Sequence, residues 1–223
     1  MNSDLPVRML SAVIMVAVAG TALWLGGWVF AGVIVVVGAI AFCEWAMLGL
    51  RLTSSQIAKI IIILLGAIYI GFACYALIVL RNYSVAAALL PIVAAVATDV
   101  GAYFTGRTIG GPKIAPWISP SKTWSGLAGG MVAAGIGVTI VTAIGFDSPL
   151  SLIMEFFLGA AFAIIAQVGD FLESFIKRRA GVKDSGTLIP GHGGVLDRID
   201  GLLAVVCAYA AFSLFTALFG NWA

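Results

Sequence analysis

Charged residues concentrate in one segment of this mostly apolar chain, residues 174–200 (SFIKRRAGVKDSGTLIPGHGGVLDRID). This polar segment holds five of the twelve basic residues, three of the ten acids and the only histidine. Its bases and acids are Lys177, Arg178, Arg179, Lys183 and Arg198, and Asp184, Asp197 and Asp200. Carboxylates beside lysines and arginines suit a divalent cation with a phosphate-bearing ligand, because Mg²⁺ takes one or two carboxylates together with phosphate oxygens. We therefore expect the chemistry of the protein in this segment.

The two predicted helices on either side of the polar segment each carry acids on one face. The first has polar side chains at i, i+3, i+4 and i+7, which share a helical face: Asp170, Glu173, Ser174 and Lys177. The second begins with Asp197 and Asp200, three residues apart. An acid at bilayer depth costs about 2.5–3.5 kcal/mol, so several polar groups on one face predict a water-filled cavity. The alternative is an acid–base network that only ties the helices together.

Two further acids lie in apolar runs. Glu44 is near the end of the second run, where snorkelling or an ion pair with Arg51 explains it without a function. Asp99 shares a helical face with Tyr103 and Gly106 and leads into a basic loop. Asp99 is therefore a candidate site residue.

Glycines precede the last predicted helix, in residues 190–194 (PGHGG). Their backbone N–H groups could form an anion-binding nest near a helix N-terminus. We interpret His192 as a ligand contact, either a phosphate donor or a proton carrier, rather than as a packing residue. Residues 119–123 (SPSKT) add hydroxyls and an ammonium that could hold phosphate, although alone they indicate a turn followed by a helix cap.

The composition places these residues in a membrane protein. Of the 223 residues 62% are hydrophobic and 10% charged, whereas soluble domains carry about 25% charged residues. Seven apolar runs are each predicted to cross the bilayer as a helix: residues 9–26, 28–49, 60–80, 85–104, 127–146, 151–177 and 199–219. The fold class is thus all-α and polytopic, and the net charge of +2 is too small to suggest nucleic acid.

The basic residues predict the orientation, because short cytoplasmic loops collect lysine and arginine. With a cytoplasmic N-terminus, eleven of the twelve lie inside and only Arg81 outside. The eleven are Arg8, Arg51, Lys59, Arg107, Lys113, Lys122, Lys177, Arg178, Arg179, Lys183 and Arg198. We predict three N-terminal spans in residues 1–82 and a catalytic part in 83–223, whose loops 105–125 and 178–196 face the cytoplasm.

Small residues recur four apart at Gly126, Gly130 and Ala134, a spacing that lets membrane helices approach closely. Packing within one chain is the favoured interpretation of this stripe, and a dimer interface is the alternative.

The polar segment resembles the signature of the phosphatidate cytidylyltransferases, S-x-x-K-R, four residues, K-D, then P-x-H-G-G-x-x-D-R-x-D. The matching positions are Ser174, Lys177, Arg178, Lys183, Asp184, Pro190, His192, Gly193, Gly194, Asp197, Arg198 and Asp200. The stretch from Asp99 through YFTGR to SPSKTW is also similar, so the resemblance covers about residues 99–201. Family members often have an acid where this chain has Ser125, so no role is assigned to that position.

The resemblance implies an enzyme that joins CTP and phosphatidic acid into CDP-diacylglycerol and releases pyrophosphate. It implies Mg²⁺, with room for a second cation, on Asp170 and Asp197 and with Asp200 as a helper. Lys177, Arg178, Lys183 and Arg198 would hold the phosphates. The further substrate-binding residues would be Asp99, Ser119, Ser121, Lys122, Thr123, Ser174, Asp184, His192, Gly193 and Gly194. A homodimer in the bacterial inner membrane is expected.

Two other functions compete with this interpretation. A CTP-dependent polyprenol or phytol kinase would also place acids and bases at the cytoplasmic face, but the close match over residues 174–200 argues against it. A cation-coupled transporter could use Asp99 and Asp170 as an ion relay. Such transporters usually contain internal repeats and helices broken near the midplane, and the sequence has no evident repeat.

Overall fold

A computed structural model describes residues 4–145 and 150–219 of the chain. Within these residues it contains seven long helices and one hairpin. The helices are α1 (Asp4–Leu25), α2 (Gly27–Leu52), α3 (Gln56–Tyr83), α4 (Val85–Thr108), α5 (Trp124–Gly145), α6 (Leu152–Arg179) and α7 (Leu196–Phe219). The strands are β1 (Lys113–Ala115) and β2 (Ser119–Thr123).

Each of the seven helices is long and apolar enough to cross a membrane. The predicted all-α, polytopic membrane fold is therefore confirmed. The predicted spans differ from the helices by a few residues at their ends, and residue 146 of the fifth span lies outside the described residues. The helices continue past the apolar runs because polar residues such as Arg107 and Arg51 still form helical hydrogen bonds in the last turn.

The connection between α4 and α5 is a hairpin, which the sequence analysis did not predict. The two strands are antiparallel, with Lys113 opposite Thr123 and Ala115 opposite Ser119. The hydroxyl of Thr123 accepts a hydrogen bond from the Gly126 N–H at 3.1 Å. Thr123 thus caps α5, as the SPSKT sequence indicated.

The chain divides into two compact units. Unit 1 contains the residues up to Val85 together with Glu173–Asp200, and unit 2 contains Ala86–Leu172 and the residues from Gly201 onward. The core of unit 2 draws on all four of its helices: Leu90, Ala94, Ala95, Val138, Phe162, Ala166 and Val205. The predicted functional division at residues 82 and 83 stays a prediction.

The stripe of small residues on α5 packs against α4 within unit 2. A Cβ atom added to Gly126 would lie 3.0 Å from the carbonyl oxygen of Ala102. One added to Gly130 would lie 2.9 Å from the carbonyl oxygen of Thr98. The glycines therefore let the two backbones touch, which confirms the interpretation of the stripe as packing within one chain.

In unit 1, α2 and α3 meet at an aromatic side chain and a glycine. The Trp45 indole N–H donates to the Ile62 carbonyl at 2.8 Å, and its ring fills the space beside Gly66. The guanidinium of Arg81 donates to the carbonyls of Leu23, at 2.6 Å, and Trp24, at 3.0 Å. This contact supplies donors to the free carbonyls at the end of α1, where a positive charge is favourable.

The first turn of α7 is held by the carboxylate of Glu44 from α2. Glu44 is 3% exposed and accepts hydrogen bonds from the N–H groups of Val195, at 3.0 Å, and Leu196, at 2.7 Å. It also accepts one from the Ser185 hydroxyl at 3.0 Å. The interpretation of Glu44 as a snorkelling residue or a partner of Arg51 was therefore wrong. The carboxylate accepts hydrogen bonds from backbone N–H groups that the helix itself leaves unpaired. Its negative charge is also favourable at the positive end of the α7 dipole.

Replacing Glu44 by glutamine tests this cap. Glutamine removes the negative charge and brings N–H donors towards N–H donors, so we expect Glu44→Gln to lower the free energy of unfolding by about 2–3 kcal/mol. The measurement is SDS-induced unfolding in mixed micelles. The control is Arg51→Gln, which removes one charge from the exposed end of the same helix and should change stability by less than about 0.5 kcal/mol. Equal stability of Glu44→Gln and the wild type would show that the carboxylate does not hold α7.

Candidate active site

The polar segment of unit 1 is organised around the carboxylate of Asp197. The ammonium of Lys177 donates to Asp197 Oδ1 at 2.6 Å and lies 2.5 Å from Glu173 Oε2. The N–H of Ser185 approaches Asp197 Oδ2 at 2.9 Å, and the N–H of Gly194 does so at 2.8 Å. Only 3% of the Asp197 side-chain surface is exposed. We name Glu173, Lys177 and Asp197 the acidic triad.

The glycines of the polar segment make this arrangement possible. Gly193 has φ +85°, and a Cβ atom there would lie 2.8 Å from Asp197 Oδ2. A Cβ atom on Gly194 would collide with the Ser185 hydroxyl and the Glu44 carboxylate. A larger residue at either position would therefore push a carboxylate away from the backbone donors that it accepts from.

His192 is the last residue of a tight turn that begins at Ile189. The His192 N–H donates to the Ile189 carbonyl at 2.9 Å, and Gly191 between them has φ +75°. Proline followed by glycine at the centre of such a turn is the type II pattern, since the third residue needs a positive φ. The Ser11 hydroxyl of α1 donates to the Pro190 carbonyl at 3.0 Å. Helix α1 thus helps to fix the turn.

One ring nitrogen of His192 is a candidate contact for a ligand. Its Nδ1 atom is buried and makes no hydrogen bond to any residue that the structure describes. A buried polar atom without a partner is costly, so a ligand contact would stabilise it. The prediction that His192 contacts a ligand fits this geometry and stays a prediction.

The predicted anion nest at the start of α7 exists, but protein carboxylates occupy it. The N–H of Gly194 donates to Asp197, while those of Val195 and Leu196 donate to Glu44. Gly193 and Gly194 therefore have a structural role in addition to the substrate contacts that stay predicted for them.

The other predicted residues of the polar segment are more accessible. Arg178, Lys183, Asp184 and Arg198 are exposed, whereas Ser174 and Asp200 are half-buried. All of them belong to unit 1 together with the acidic triad. The bases of this set are thus exposed on unit 1, while the buried acids shape the loop.

Unit 2 contains the remaining predicted site residues. The ammonium of Lys122 on β2 forms an ion pair with the Asp170 carboxylate and lies 4.8 Å above the Phe171 ring. Asp99, Ser121, Lys122 and Thr123 line a cavity of about 420 Å³. The structure brings these four side chains together, and Ser119 begins the same strand.

This cavity also contains residues that the sequence analysis missed as site residues. They are Tyr103 and Arg107 on α4, Lys113 on β1 and Gln167 on α6. Gln167 lies three residues before Asp170, so the polar stripe already found on α6 could have been extended by one turn. Arg107 entered the prediction only through the orientation and the YFTGR stretch, and Lys113 only through the orientation.

The donors present fit a hard divalent cation. The acidic triad combines two carboxylates with one ammonium, and Glu173 Oε1 is buried without a hydrogen-bond partner among the described residues. This excess of negative charge favours a further positive partner. Within the described part of the chain no three His, Cys, Asp or Glu side chains surround one point. A Mg²⁺ ion would therefore depend on phosphate oxygens, as is usual for that ion.

Comparison with known proteins bears on the identity of the chain. The sequence profile of the cytidylyltransferase family matches residues 47–216. The phosphatidate cytidylyltransferase of Brucella suis is 42% identical over 164 residues, which are 70% of this chain and 57% of that protein. The enzyme of the same name from Bacillus subtilis is 41% identical over 147 residues, 65% of this chain and 54% of that protein.

A third relative, the phosphatidate cytidylyltransferase of Pseudomonas aeruginosa, is 37% identical over 150 residues, 66% of this chain and 55% of that protein. The chain thus spans somewhat more than half the length of these curated relatives. The family match covers far more than half of the 223 residues and includes the whole polar segment. It confirms the resemblance found in the sequence, and this chain belongs to the cytidylyltransferase family.

Proposed function

We propose that this membrane protein is a phosphatidate cytidylyltransferase that converts CTP and phosphatidic acid to CDP-diacylglycerol and pyrophosphate. The observation that carries the proposal is the identity of 37–42% to the three relatives of that name, over segments of at least 147 residues. The buried acids and exposed bases of the polar segment support it, because both substrates are phosphates.

In the proposed reaction an oxygen of the lipid phosphate attacks the α-phosphorus of CTP. The bond from that phosphorus to the oxygen that bridges the β-phosphorus breaks, and pyrophosphate leaves. The protein supplies no nucleophile, so its contribution is to position the reactants and neutralise their charge. Lys177, Arg178, Lys183 and Arg198 are proposed to hold the phosphates. Lys177 is already oriented by Glu173 and Asp197, which reduces the cost of ordering it.

Mg²⁺ is the proposed cofactor, with a second cation as a further proposal. Asp170 and Asp197, helped by Asp200, are the carboxylates proposed to hold it. When bound it would neutralise phosphate oxygens of CTP. The further substrate contacts are proposed to be the residues that the resemblance implies: Asp99, Ser119, Ser121, Lys122, Thr123, Ser174, Asp184, His192, Gly193 and Gly194.

The active site is proposed to face the cytoplasm, in the inner membrane of a bacterium. The predicted placement of eleven of the twelve basic residues on one side of the membrane supports this orientation. Arg81, the exception, is bound to the end of α1 and is therefore satisfied by the protein itself. The homodimer stays a prediction.

The first test is turnover by the purified protein in detergent micelles with radiolabelled CTP and Mg²⁺. We expect labelled CDP-lipid and pyrophosphate with phosphatidic acid and neither with a polyprenol. Phosphorylated polyprenol with no CDP-lipid would instead identify a lipid kinase. A well-folded protein that makes neither product would reopen the transporter hypothesis.

The second test is Asp197→Asn. We expect the turnover number to fall about 100-fold or more, because the variant removes a charge from the proposed metal site. Since Asp197 also holds the backbone of the loop, the variant must retain the wild-type elution profile and circular dichroism for the result to count.

The matched control is Lys59→Gln, a charge change in the first turn of α3 that should leave turnover nearly unchanged. Substantial activity of Asp197→Asn at saturating Mg²⁺ would remove Asp197 from the metal site.

A further inference from the structure

The cavity of unit 2 is lined by two exposed cations, Arg107 and Lys113. The Arg107 guanidinium donates to the Tyr103 hydroxyl at 2.6 Å, and the Lys113 ammonium donates to the Ser121 carbonyl at 3.3 Å. Among the described residues neither cation forms an ion pair with an acid. Their present partners are neutral, so both charges remain available to an anion in the cavity.

The same cavity is also lined by an amide. Gln167 is 6% exposed and forms part of the cavity wall. Its side chain carries two N–H donors and one carbonyl acceptor. An amide in the wall of a polar cavity therefore adds a hydrogen-bond donor for a ligand beside the two cations.

The charges around the cavity favour an anion. Lys122 is neutralised by its ion pair with Asp170, and Asp99 contributes one negative charge to the lining. Arg107 and Lys113 contribute two positive charges. A guanidinium, an ammonium and an amide together offer several donors to the three terminal oxygens of a phosphate. A cavity of about 420 Å³ has room for such a group and the atoms that carry it.

The surroundings of the cavity indicate the membrane interface. Tyr103, Trp117 and Trp124 are 57%, 71% and 56% exposed. Exposed tyrosine and tryptophan near the ends of spanning helices collect at the level of the lipid headgroups. The cavity therefore lies where the phosphate of a bilayer lipid is within reach, and it is also open to a soluble phosphate.

We propose that this cavity is a phosphate subsite in which Arg107, Lys113 and Gln167 bind a phosphate group of a substrate. The inference rests on the proposed function, in which both substrates carry phosphate. The phosphate belongs either to the lipid or to the nucleotide, and the experiment below separates these two sources.

The test compares the steady-state kinetics of Arg107→Gln and Lys113→Gln with the wild type, varying phosphatidic acid at saturating CTP and then the reverse. Each variant removes one charged donor, so we expect KM for one substrate to rise about tenfold or more while kcat changes little. A rise for phosphatidic acid assigns the lipid phosphate, and a rise for CTP assigns the triphosphate. Unchanged KM values for both substrates would overturn the proposal.

Two control variants carry the same changes outside the cavity. Arg51→Gln alters an arginine in the last turn of α2, just as Arg107 is in the last turn of α4. Lys59→Gln alters a lysine at the start of α3. Both should keep the wild-type KM for each substrate, and an equal rise in these controls would overturn a role for the cavity.

Gln167→Glu provides an independent test at nearly constant side-chain size. A carboxylate at this position repels a phosphate, so KM for the same substrate should rise about tenfold or more. An unchanged KM for this variant would show that no phosphate lies beside Gln167.

Direct binding separates this proposal from the proposed function. If the wild type makes no CDP-lipid, equilibrium binding of radiolabelled phosphatidic acid in micelles and of radiolabelled CTP still tests the cavity. Weaker binding of either compound to Arg107→Gln but not to Arg51→Gln would support the phosphate subsite even then. Binding equal to that of the wild type would refute it.

Discussion

Two buried carboxylates at the start of α7 determine the shape of the polar loop before it. Glu44 and Asp197 together accept hydrogen bonds from the backbone N–H groups of residues 185 and 194–196. Each of these donors would otherwise be unpaired in a protein interior, where an unpaired donor is costly. The loop therefore cannot change its path without leaving several of these backbone N–H groups without a hydrogen-bond acceptor. Because Glu44 belongs to α2, the loop geometry depends on a helix that begins far away in the sequence.

Because of this constraint, the charged residues of unit 1 fall into two groups, the buried acids and the exposed bases. The buried acids and the glycines beside them build the loop, since Gly193 and Gly194 leave space for the carboxylates. Among the bases, Lys183 is exposed and forms no ion pair with an acid among the described residues. Its side chain can therefore reorganise around an anionic ligand at little cost to the fold. Lys177 belongs to both groups, because it neutralises the acids and lies next to the exposed bases along the chain.

The helices were predictable because each apolar run is long enough to cross a bilayer, a property of consecutive residues. The β1–β2 hairpin was not, since its strands of three and five residues are too short to show a period. The role of Glu44 was also hidden, because its partners Ser185 and Leu196 lie 141 and 152 residues away. In the candidate site, the acids, bases and glycines of the polar segment were found from their types and spacing, whereas their assignment to a signature came from the resemblance. Arg107 and Gln167 emerged only when the fold brought their helices around one cavity.

The charge balance of the acidic triad connects this architecture to the proposed chemistry. Glu173 and Asp197 share one ammonium, and their side chains are 4% and 3% exposed. Asp197 is stabilised as a carboxylate by backbone donors, whereas Glu173 Oε1 has no hydrogen-bond partner among the described residues. Two negative charges and one positive charge cannot stay buried without compensation, by a proton or by another cation. Glu173 is therefore the member of the triad at which that compensation is needed. The excess of buried negative charge in the triad therefore favours a further positive partner beside Glu173.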